Sequence, residues 1–223
     1  AYGQLLGRDF NPLAKLLLLR TPGPFFIGTV LALSRQCGRY DARIHHCTQV
    51  DMSNLAEQSR EALSMCARTG TEPALIGGLA VVAHQVVRAT KDVDFLVEAE
   101  AADRVHDALL NLGYQCLYRS EDAANYVRAA EGLDVLYAHR PLARRLLAQA
   151  SERETPMGRM RIISVEGLIG FKLQGFVNDA TRTRDVEDIR ALLKIHRTSL
   201  NMDELHEYFA LFNKPELLNE LLG

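Results

Sequence analysis

Residues 74–97 carry the sequence ALIGGLAVVAHQVVRATKDVDFLV, and this stretch decides the fold. The apolar run 74–76 ends at Gly77 and Gly78, and the apolar residues of 79–87 then indicate a buried helix that leaves the turn. Residues 92–97 alternate carboxylate and apolar side chains, which predicts a strand. The stretch is therefore expected to form a strand, a glycine turn, a helix and a second strand.

The remaining pattern after residue 52 concentrates strands in the middle of the chain and helices at its end. Apolar residues at helical spacing, with Ser53 at the N-cap position, predict a first helix that begins near Met52. Further helices are expected at 99–112, 142–150, 164–177, 184–195, 202–212 and 215–222, and further strands at 115–119, 125–129, 133–137 and 159–163. This order predicts an α+β domain with a helical C-terminal tail.

The first 51 residues differ in composition from the rest. Only Asp9 and Asp41 are acidic in residues 1–50, and no apolar period holds for long. The apolar stretch 13–33 is broken by Lys15 and Arg20 and by two prolines, so neither a membrane span nor a signal peptide is predicted. We expect residues 1–51 to be an appendage or a non-native leader of unknown role, 52–163 the core and 164–223 a helical segment packing on it.

Composition limits the classes of function. With 223 residues, 48% of them apolar and a formal net charge of −2, the chain can bury a core but cannot coat nucleic acid over its whole surface. The four cysteines, Cys37, Cys47, Cys66 and Cys116, show no CxxC spacing. A chain of this length needs no disulfides, so a cytoplasmic location is expected.

Two carboxylates on one strand predict a metal site. Residues i and i+2 of a strand point to the same face, so Asp92 and Asp94 lie side by side. The two like charges repel each other, and a hard divalent cation removes that repulsion. Because Mg²⁺ is commonly held by one or two carboxylates together with substrate phosphates, the pattern favours a magnesium–nucleotide complex over a closed protein cage.

Other residues fit the same chemistry. Asp134, on the apolar strand 133–137, would complete a three-carboxylate site for one or two Mg²⁺ ions and accept the proton of an attacking hydroxyl. Gly77 and Gly78 would let backbone N–H groups approach phosphate, and Lys172 could reach a triphosphate. Taken singly, each has another interpretation: a DxD in a surface strand, an ordinary glycine turn, a solvated lysine, a half-exposed acid. The order and spacing of all of them favour the metal site.

These motifs resemble the nucleotidyltransferase superfamily, the fold of polymerase β-like enzymes, whose signature is a glycine pair or Gly-Ser, a helix and a D-x-[DE] strand. Here Gly77-Gly78 is followed, after thirteen residues, by Asp92-Val93-Asp94. Within the superfamily the chain is most similar to the AbiEii-like, toxin–antitoxin-associated group, whose Arg-x-Thr-x-Asp-x-Asp string is matched by residues 88–94. Lys172 and the run 184–189, Arg-Asp-Val-Glu-Asp-Ile, resemble a second pattern of that group. The likeness covers residues 60–195.

The resemblance implies a minimal nucleotidyltransferase core with a mixed β-sheet flanked by helices. It also implies Mg²⁺-dependent transfer of a nucleoside monophosphate from an NTP to a hydroxyl, with release of pyrophosphate. The roles that it carries over are metal binding and catalysis for Asp92, Asp94 and Asp134, and nucleotide binding for Gly77, Gly78, Arg88, Thr90 and Lys172. Arg184, Asp185 and Asp188 are further candidates, although the two acids could instead stabilise the first turn of a helix.

The acceptor stays open at the level of sequence. Between residues 140 and 161 six arginines face only two glutamates, Glu152 and Glu154, so a basic patch for an RNA or tRNA acceptor competes with an ordinary solvated helix face. The six are Arg140, Arg144, Arg145, Arg153, Arg159 and Arg161. A protein or a small molecule could also accept the nucleotide. Two other classes remain: a catalytically weak toxin–antitoxin-type protein that binds a small partner protein, and a structural domain.

Overall fold

The structure, a computed structural model, describes residues 52–155 and 157–223. The predicted N-terminal unit, 1–51, lies outside the described residues, and the first described helix begins at Met52. In the described part, every helix is too short or too polar to cross a lipid bilayer.

Seven strands and eight α-helices make up the described part of the chain. The helices are α1 (Met52–Arg68), α2 (Gly77–Ala83), α3 (Ala102–Asn111), α4 (Pro141–Gln149), α5 (Val165–Asn178), α6 (Thr183–His196), α7 (Met202–Leu211) and α8 (Pro215–Leu222). The strands are β1 (Ala74–Leu75), β2 (Asp92–Glu98), β3 (Gln115–Arg119), β4 (Ala123–Arg128), β5 (Glu131–Ala138), β6 (Ser151–Thr155) and β7 (Gly158–Ile162).

The strands form one mixed sheet in the order β3-β4-β5-β2-β1-β7-β6. The central pair, β2 and β5, is parallel, and so is the pair of β1 and β7. The other neighbours are antiparallel. A mixed sheet with helices packed on it and further helices at the C-terminus confirms the predicted α+β fold class.

Contacts from the strands show which helices cover each face of the sheet. Tyr126 of β4 bonds His106 of α3, and Arg128 of the same strand pairs with Glu61 of α1, so these two helices lie on one face. Since side chains alternate along a strand, Asn125 points to the opposite face. That opposite face carries Asp92 and Asp94 and meets α2 and α5.

Most predicted elements are present, but one predicted helix has different bounds and one strand was not predicted. The helix expected at 79–87 begins at Gly77 and ends at Ala83, because Gln85 takes a left-handed φ of 69° that closes the helix. Strand β6 was not predicted, since its sequence Ser-Glu-Arg-Glu-Thr is polar throughout and four of its five residues are exposed. It pairs with β7 as a hairpin at the sheet edge.

The C-terminal helices share the core of the sheet. Leu168 and Leu173 of α5 and Ile189 of α6 are fully buried in the same apolar cluster as Phe95 and Leu75. A division of the chain at residues 163 and 164 therefore remains a prediction, since no gap in the core marks it.

Candidate active site

The three predicted acids lie on the two central parallel strands. Asp94 of β2 is the register partner of Asp134 of β5, and Asp92 stands opposite Gly132. Register partners point to the same face, so all three carboxylates lie on the face that meets α2 and α5. Asp92 is exposed, whereas Asp94 and Asp134 are partly buried.

The electrostatics of this group follow from burial and like charge. Desolvation, with the charges of Asp134 and Asp92, raises the pKa of Asp94 to about 7, although Lys172 and the Gly78 N–H act against the increase. Burial and the charge of Asp92 also raise the pKa of Asp134, opposed by a hydrogen bond from Asn125. Both carboxyls are therefore held where a nearby cation would stabilise their ionised forms.

Glycines give these carboxylates their space. Gly77 has a φ of 63°, and a Cβ there would lie 1.9 Å from the Oδ2 oxygen of Asp94. A Cβ on Gly78 would lie 2.5 Å from Thr90 Oγ1, and one on Gly132 would lie 2.3 Å from Asp92 Oδ1. The Gly78 N–H also donates to Asp94 Oδ2 at 3.3 Å. The turn is thus fitted to the second acid of the motif.

Beside the acids lies a buried group of cations. Lys172 is only 9% exposed, so the interpretation as a solvated helix residue was wrong. Its Nζ lies 2.9 Å from Asp185 Oδ1 and 2.9 Å from Asp188 Oδ2. Arg88 also pairs with Asp188, and Arg182 Nε donates to Asp185 Oδ2 at 2.6 Å.

This group, which we call the lysine cluster, consists of Lys172, Arg88, Arg182, Asp185 and Asp188. Three cations face two carboxylates, so the cluster carries one net positive charge when all five groups are ionised. Asp185 and Asp188 do more than favour a helix dipole, because both hold buried cations in place. The cluster therefore sets a positive group next to the row of acids.

The structure brings together ten of the eleven predicted site residues. Gly77, Gly78, Arg88, Thr90, Asp92, Asp94, Asp134, Lys172, Asp185 and Asp188 form one continuous region at the ends of β2 and β5. The eleventh, Arg184, is exposed, and no ion pair links it to another residue of the described part. It does not join the lysine cluster.

Sequence reasoning missed three residues of this region. Asn125 Nδ2 donates to Asp134 Oδ1 at 2.7 Å, Gln58 Nε2 donates to the Gly132 carbonyl at 2.9 Å, and Arg182 holds Asp185. Gln58 is 2% exposed. A polar residue between the buried Ala124 and Tyr126 was the one available signal for Asn125, whereas Gln58 and Arg182 had none.

The six arginines that could have formed a basic patch between residues 140 and 161 are largely neutralised. Five of its six arginines pair with acids: Arg140 with Asp122, Arg144 with Glu100, Arg145 with Glu204, Arg159 with Glu154 and Arg161 with Glu72. In addition, Arg153, Arg159 and Arg161 lie on β6 and β7, which are separated from β2 by β1. The structure favours the solvated-face interpretation of this segment.

The site can take a divalent cation together with a nucleotide. Across residues 52–155 and 157–223, no three acidic, histidine or cysteine side chains converge tightly enough to hold an ion alone. The carboxylates of Asp92, Asp94 and Asp134, which share one face, instead suit Mg²⁺, because this ion keeps several waters and is bound by one or two carboxylates together with substrate phosphates. The donors present therefore fit a shared magnesium–nucleotide site.

Comparison with known proteins identifies the fold. No family model and no curated protein matches the chain. Among solved structures, the antibiotic-resistance factor ANT(2'')-Ia in solution shares 18% identity at a TM-score of 0.56, over 75% of this chain and 96% of the other. Its crystal structure with adenylyl-2''-tobramycin shares 18% identity at a TM-score of 0.54, over 72% and 97%.

A third structure, the lincomycin-bound lincosamide antibiotic adenylyltransferase LnuA, shares 19% identity at a TM-score of 0.49, over 62% of this chain and 96% of the other. At such identities the two ANT(2'')-Ia likenesses show the fold alone. The chain therefore has the fold of ANT(2'')-Ia.

Proposed function

We propose that this chain is a Mg²⁺-dependent nucleotidyltransferase that moves a nucleoside monophosphate from an NTP to a hydroxyl acceptor. The observation that carries the proposal is the register of Asp94 with Asp134 on adjacent parallel strands, with Asp92 two residues from Asp94 on the same face. Two further features support the proposal. The glycine turn packs against Asp94, and the lysine cluster supplies buried positive charge.

The lysine cluster and the glycine turn are suited to the triphosphate. Lys172 and Arg88 both pair with Asp188. Because this pairing fixes the two cations before a nucleotide binds, the entropy cost of nucleotide binding is lower. The net positive charge of the cluster attracts phosphate oxygens. Thr90, against Gly78, adds a hydroxyl at the same edge.

The acids are suited to the reacting groups. Asp92 and Asp94 would hold Mg²⁺, which when bound offsets the negative charge of the phosphates. In the transfer, the acceptor oxygen forms a bond to the α-phosphorus while the bond from that phosphorus to the pyrophosphate oxygen breaks. The hydroxyl proton passes to Asp134, whose raised pKa favours accepting it, and pyrophosphate leaves with the electron pair.

The finer assignments also belong to this proposal. The resemblance to the AbiEii-like group suggests a small partner protein, and co-purification of such a protein with little turnover by the chain alone would favour that role. An RNA acceptor would need cations that can contact its phosphates, but five of the six arginines between residues 140 and 161 are paired with acids. A cytoplasmic location agrees with an NTP substrate.

The test compares the wild type with an Asp92→Asn/Asp94→Asn variant. Purified protein is first assayed for binding of each NTP with Mg²⁺ and with EDTA, and then incubated with each α-labelled NTP and separated acceptor pools. We expect Mg²⁺-dependent binding and label transfer in the wild type, both lost in the variant. Asp107→Asn, an exposed acid on α3, serves as the control that retains both. Absence of Mg²⁺-dependent NTP binding in the wild type would refute the proposal.

A further inference from the structure

The three acids of the site differ in how their carboxylates are held. The Gly78 N–H donates to Asp94, and Asn125 donates to Asp134. Asp92 is exposed, and in the part of the chain that the structure describes no group donates a hydrogen bond to its carboxylate. The position of the Asp92 carboxylate therefore depends on the backbone against which it packs.

That backbone belongs to Gly132. Gly132 is the register partner of Asp92 on the neighbouring parallel strand. A Cβ on Gly132 would lie 2.3 Å from Oδ1 and 3.1 Å from Cγ of Asp92, so the carboxylate lies directly over the glycine Cα. A shift of β5 at Gly132 would therefore change the space that the Asp92 carboxylate occupies.

Two local features leave β5 weakly constrained at Gly132. Glycine has the widest range of backbone conformations, and it contributes no side-chain packing to a strand. In addition, only Ala129 and Ala130 join β4 to β5, and Ala129 takes a left-handed φ of 52°. Because this conformation is unfavourable for alanine, the turn does not by itself hold the start of β5 in place.

A buried amide from α1 supplies the missing constraint. Gln58 Nε2 donates to the Gly132 carbonyl oxygen at 2.9 Å, across a separation of 74 residues in sequence. Gln58 is 2% exposed, and Leu55 and Ala62, one helical turn before and after it, are buried as well. A glutamine in such apolar surroundings is unfavourable unless its amide is hydrogen-bonded. The bond anchors the start of β5 from the face opposite the acids.

Helix α1 also contacts the β4–β5 turn at a second point. Glu61, three residues after Gln58 on the same side of the helix, pairs with Arg128 at 2.6 Å. Arg128 Nε lies 2.8 Å from the carboxylate of Glu131, its register partner across the turn. This second contact joins side chains only, whereas Gln58 holds the backbone on which the Asp92 carboxylate packs. Glu61 therefore offers a matched comparison for Gln58.

We infer that Gln58 is a positioning residue for the metal site of the proposed transferase, because it holds Gly132, which defines the position of the Asp92 carboxylate. This inference rests on the proposed function. Gln58 touches neither the nucleotide nor the metal, since α1 and the three acids lie on opposite faces of the sheet. Its effect is on the affinity of the site for Mg²⁺.

The coordination chemistry of Mg²⁺ makes this effect selective. Mg²⁺ requires near-octahedral geometry with oxygen ligands at about 2.0–2.1 Å, whereas Ca²⁺ accepts irregular geometry at about 2.3–2.6 Å. A carboxylate that is loosely held must lose freedom when the ion binds, which lowers the affinity. Loss of the Gln58 bond should therefore weaken the binding of Mg²⁺ more than the binding of Ca²⁺.

The experiment compares the wild type with two variants of Gln58. Gln58→Met keeps the length of the side chain but removes the donor, and Gln58→Asn keeps the amide but shortens its reach. Glu61→Gln is the matched control, because it removes the ion pair to the same turn without touching Gly132. Titrations of NTP binding with Mg²⁺ and with Ca²⁺ give the half-saturating concentration of each ion. Thermal unfolding and amide hydrogen exchange are measured in EDTA.

Gln58→Met should raise the half-saturating Mg²⁺ concentration roughly tenfold, the equivalent of about 1.4 kcal/mol, and that of Ca²⁺ by clearly less. In EDTA, the amides near Asp92 and Gly132 should exchange faster in this variant than in the wild type. Gln58→Asn should act in the same direction. Glu61→Gln should lower Tm and leave both ion concentrations as in the wild type.

Two outcomes would overturn the inference while leaving the proposed function standing. One is an equal half-saturating Mg²⁺ concentration for the wild type and folded Gln58→Met. The other is an equal increase in Gln58→Met and Glu61→Gln, which would assign Gln58 a structural role only. If Gln58→Met does not fold, Gln58→Asn decides by the same criteria. Absence of Mg²⁺-dependent NTP binding in the wild type would instead remove the proposed function itself.

Discussion

The Cα of Gly77 faces the carboxylate of Asp94 so closely that a Cβ on Gly77 would lie 1.9 Å from Oδ2. Gly77 also needs its left-handed φ of 63°. The glycine motif and the acid motif are seventeen residues apart in sequence, yet each defines the space available to the other. The glycine turn therefore affects the site by leaving the space that the Asp94 carboxylate occupies.

Replacement of Gly77 by alanine tests this relationship. Gly77→Ala should lower thermal stability and abolish Mg²⁺-dependent NTP binding, because Asp94 must move. Gly70→Ala is the matched control: the φ of Gly70 is 71°, and nothing lies within 4 Å of the position that an added Cβ would take. The control should lose only about 1 kcal/mol from backbone strain and keep NTP binding. Equal stability and equal NTP affinity of the two variants would contradict the account.

Asp94 should lower the stability of the protein without metal. Its carboxylate is desolvated and lies near two other acids, and Lys172 retains two other carboxylate partners when Asp94 is neutralised. Asp94→Asn in EDTA at neutral pH should therefore raise the unfolding free energy by roughly 1 kcal/mol, or about 2–4 °C in Tm. Exposed Asp107→Asn should leave Tm unchanged. A lower Tm for Asp94→Asn would show that the carboxylates do not repel.

The lysine cluster should behave as a coupled unit. Lys172→Met leaves Asp185 and Asp188 with one arginine partner each and should cost about 3 kcal/mol of stability. Because both single variants remove the same ion pair between Lys172 and Asp188, the double variant should be less destabilised than the sum of the single variants. Urea denaturation measures the three values, with exposed Lys194→Met as the control. Strict additivity would contradict a shared cluster.

His84 should make stability depend on pH below neutrality. Its Nε2 lies 2.9 Å from the Ile163 carbonyl, and burial lowers its pKa from the ordinary value of 6.5. As the pH falls below 6.5, the unfolded chain takes up a proton that folded His84 resists, so stability is lost in that direction. The glutamine of His84→Gln supplies an N–H donor for the Ile163 carbonyl but does not titrate. This variant should therefore lose less stability between neutral pH and mildly acidic pH than the wild type. Exposed His206→Gln should not differ from the wild type.

The sequence predicted the centre of the site because that centre is local. Asp92 and Asp94 share a face by the period of a strand, and β2 is long and apolar enough to recognise. The placement of Asp134 beside Asp94 is different in kind, because parallel pairing joins residues forty positions apart. There the resemblance to a known family supplied what strand patterns could not.

What the sequence could not predict depends on tertiary contact. Arg182 and Gln58 are ordinary polar residues in their own segments, and only packing brings them to Asp185 and to Gly132. Strand β6 is polar throughout, so it lacks the alternation of apolar and polar residues that would predict a strand. The arginines between residues 140 and 161 form a cluster by count, but their partners, such as Asp122 and Glu100, lie far away in sequence.

The central claim is that Asp92, Asp94 and Asp134 support cleavage between the α- and β-phosphates of an NTP. The most direct measurement incubates the protein with Mg²⁺, acceptor pools and either α-labelled or γ-labelled ATP in parallel. The account predicts that the α-label moves to the acceptor, that the γ-label appears in pyrophosphate, and that Asp134→Asn loses both. Transfer of the γ-label to the acceptor, or release of γ-label as orthophosphate with no acceptor labelled, would contradict it.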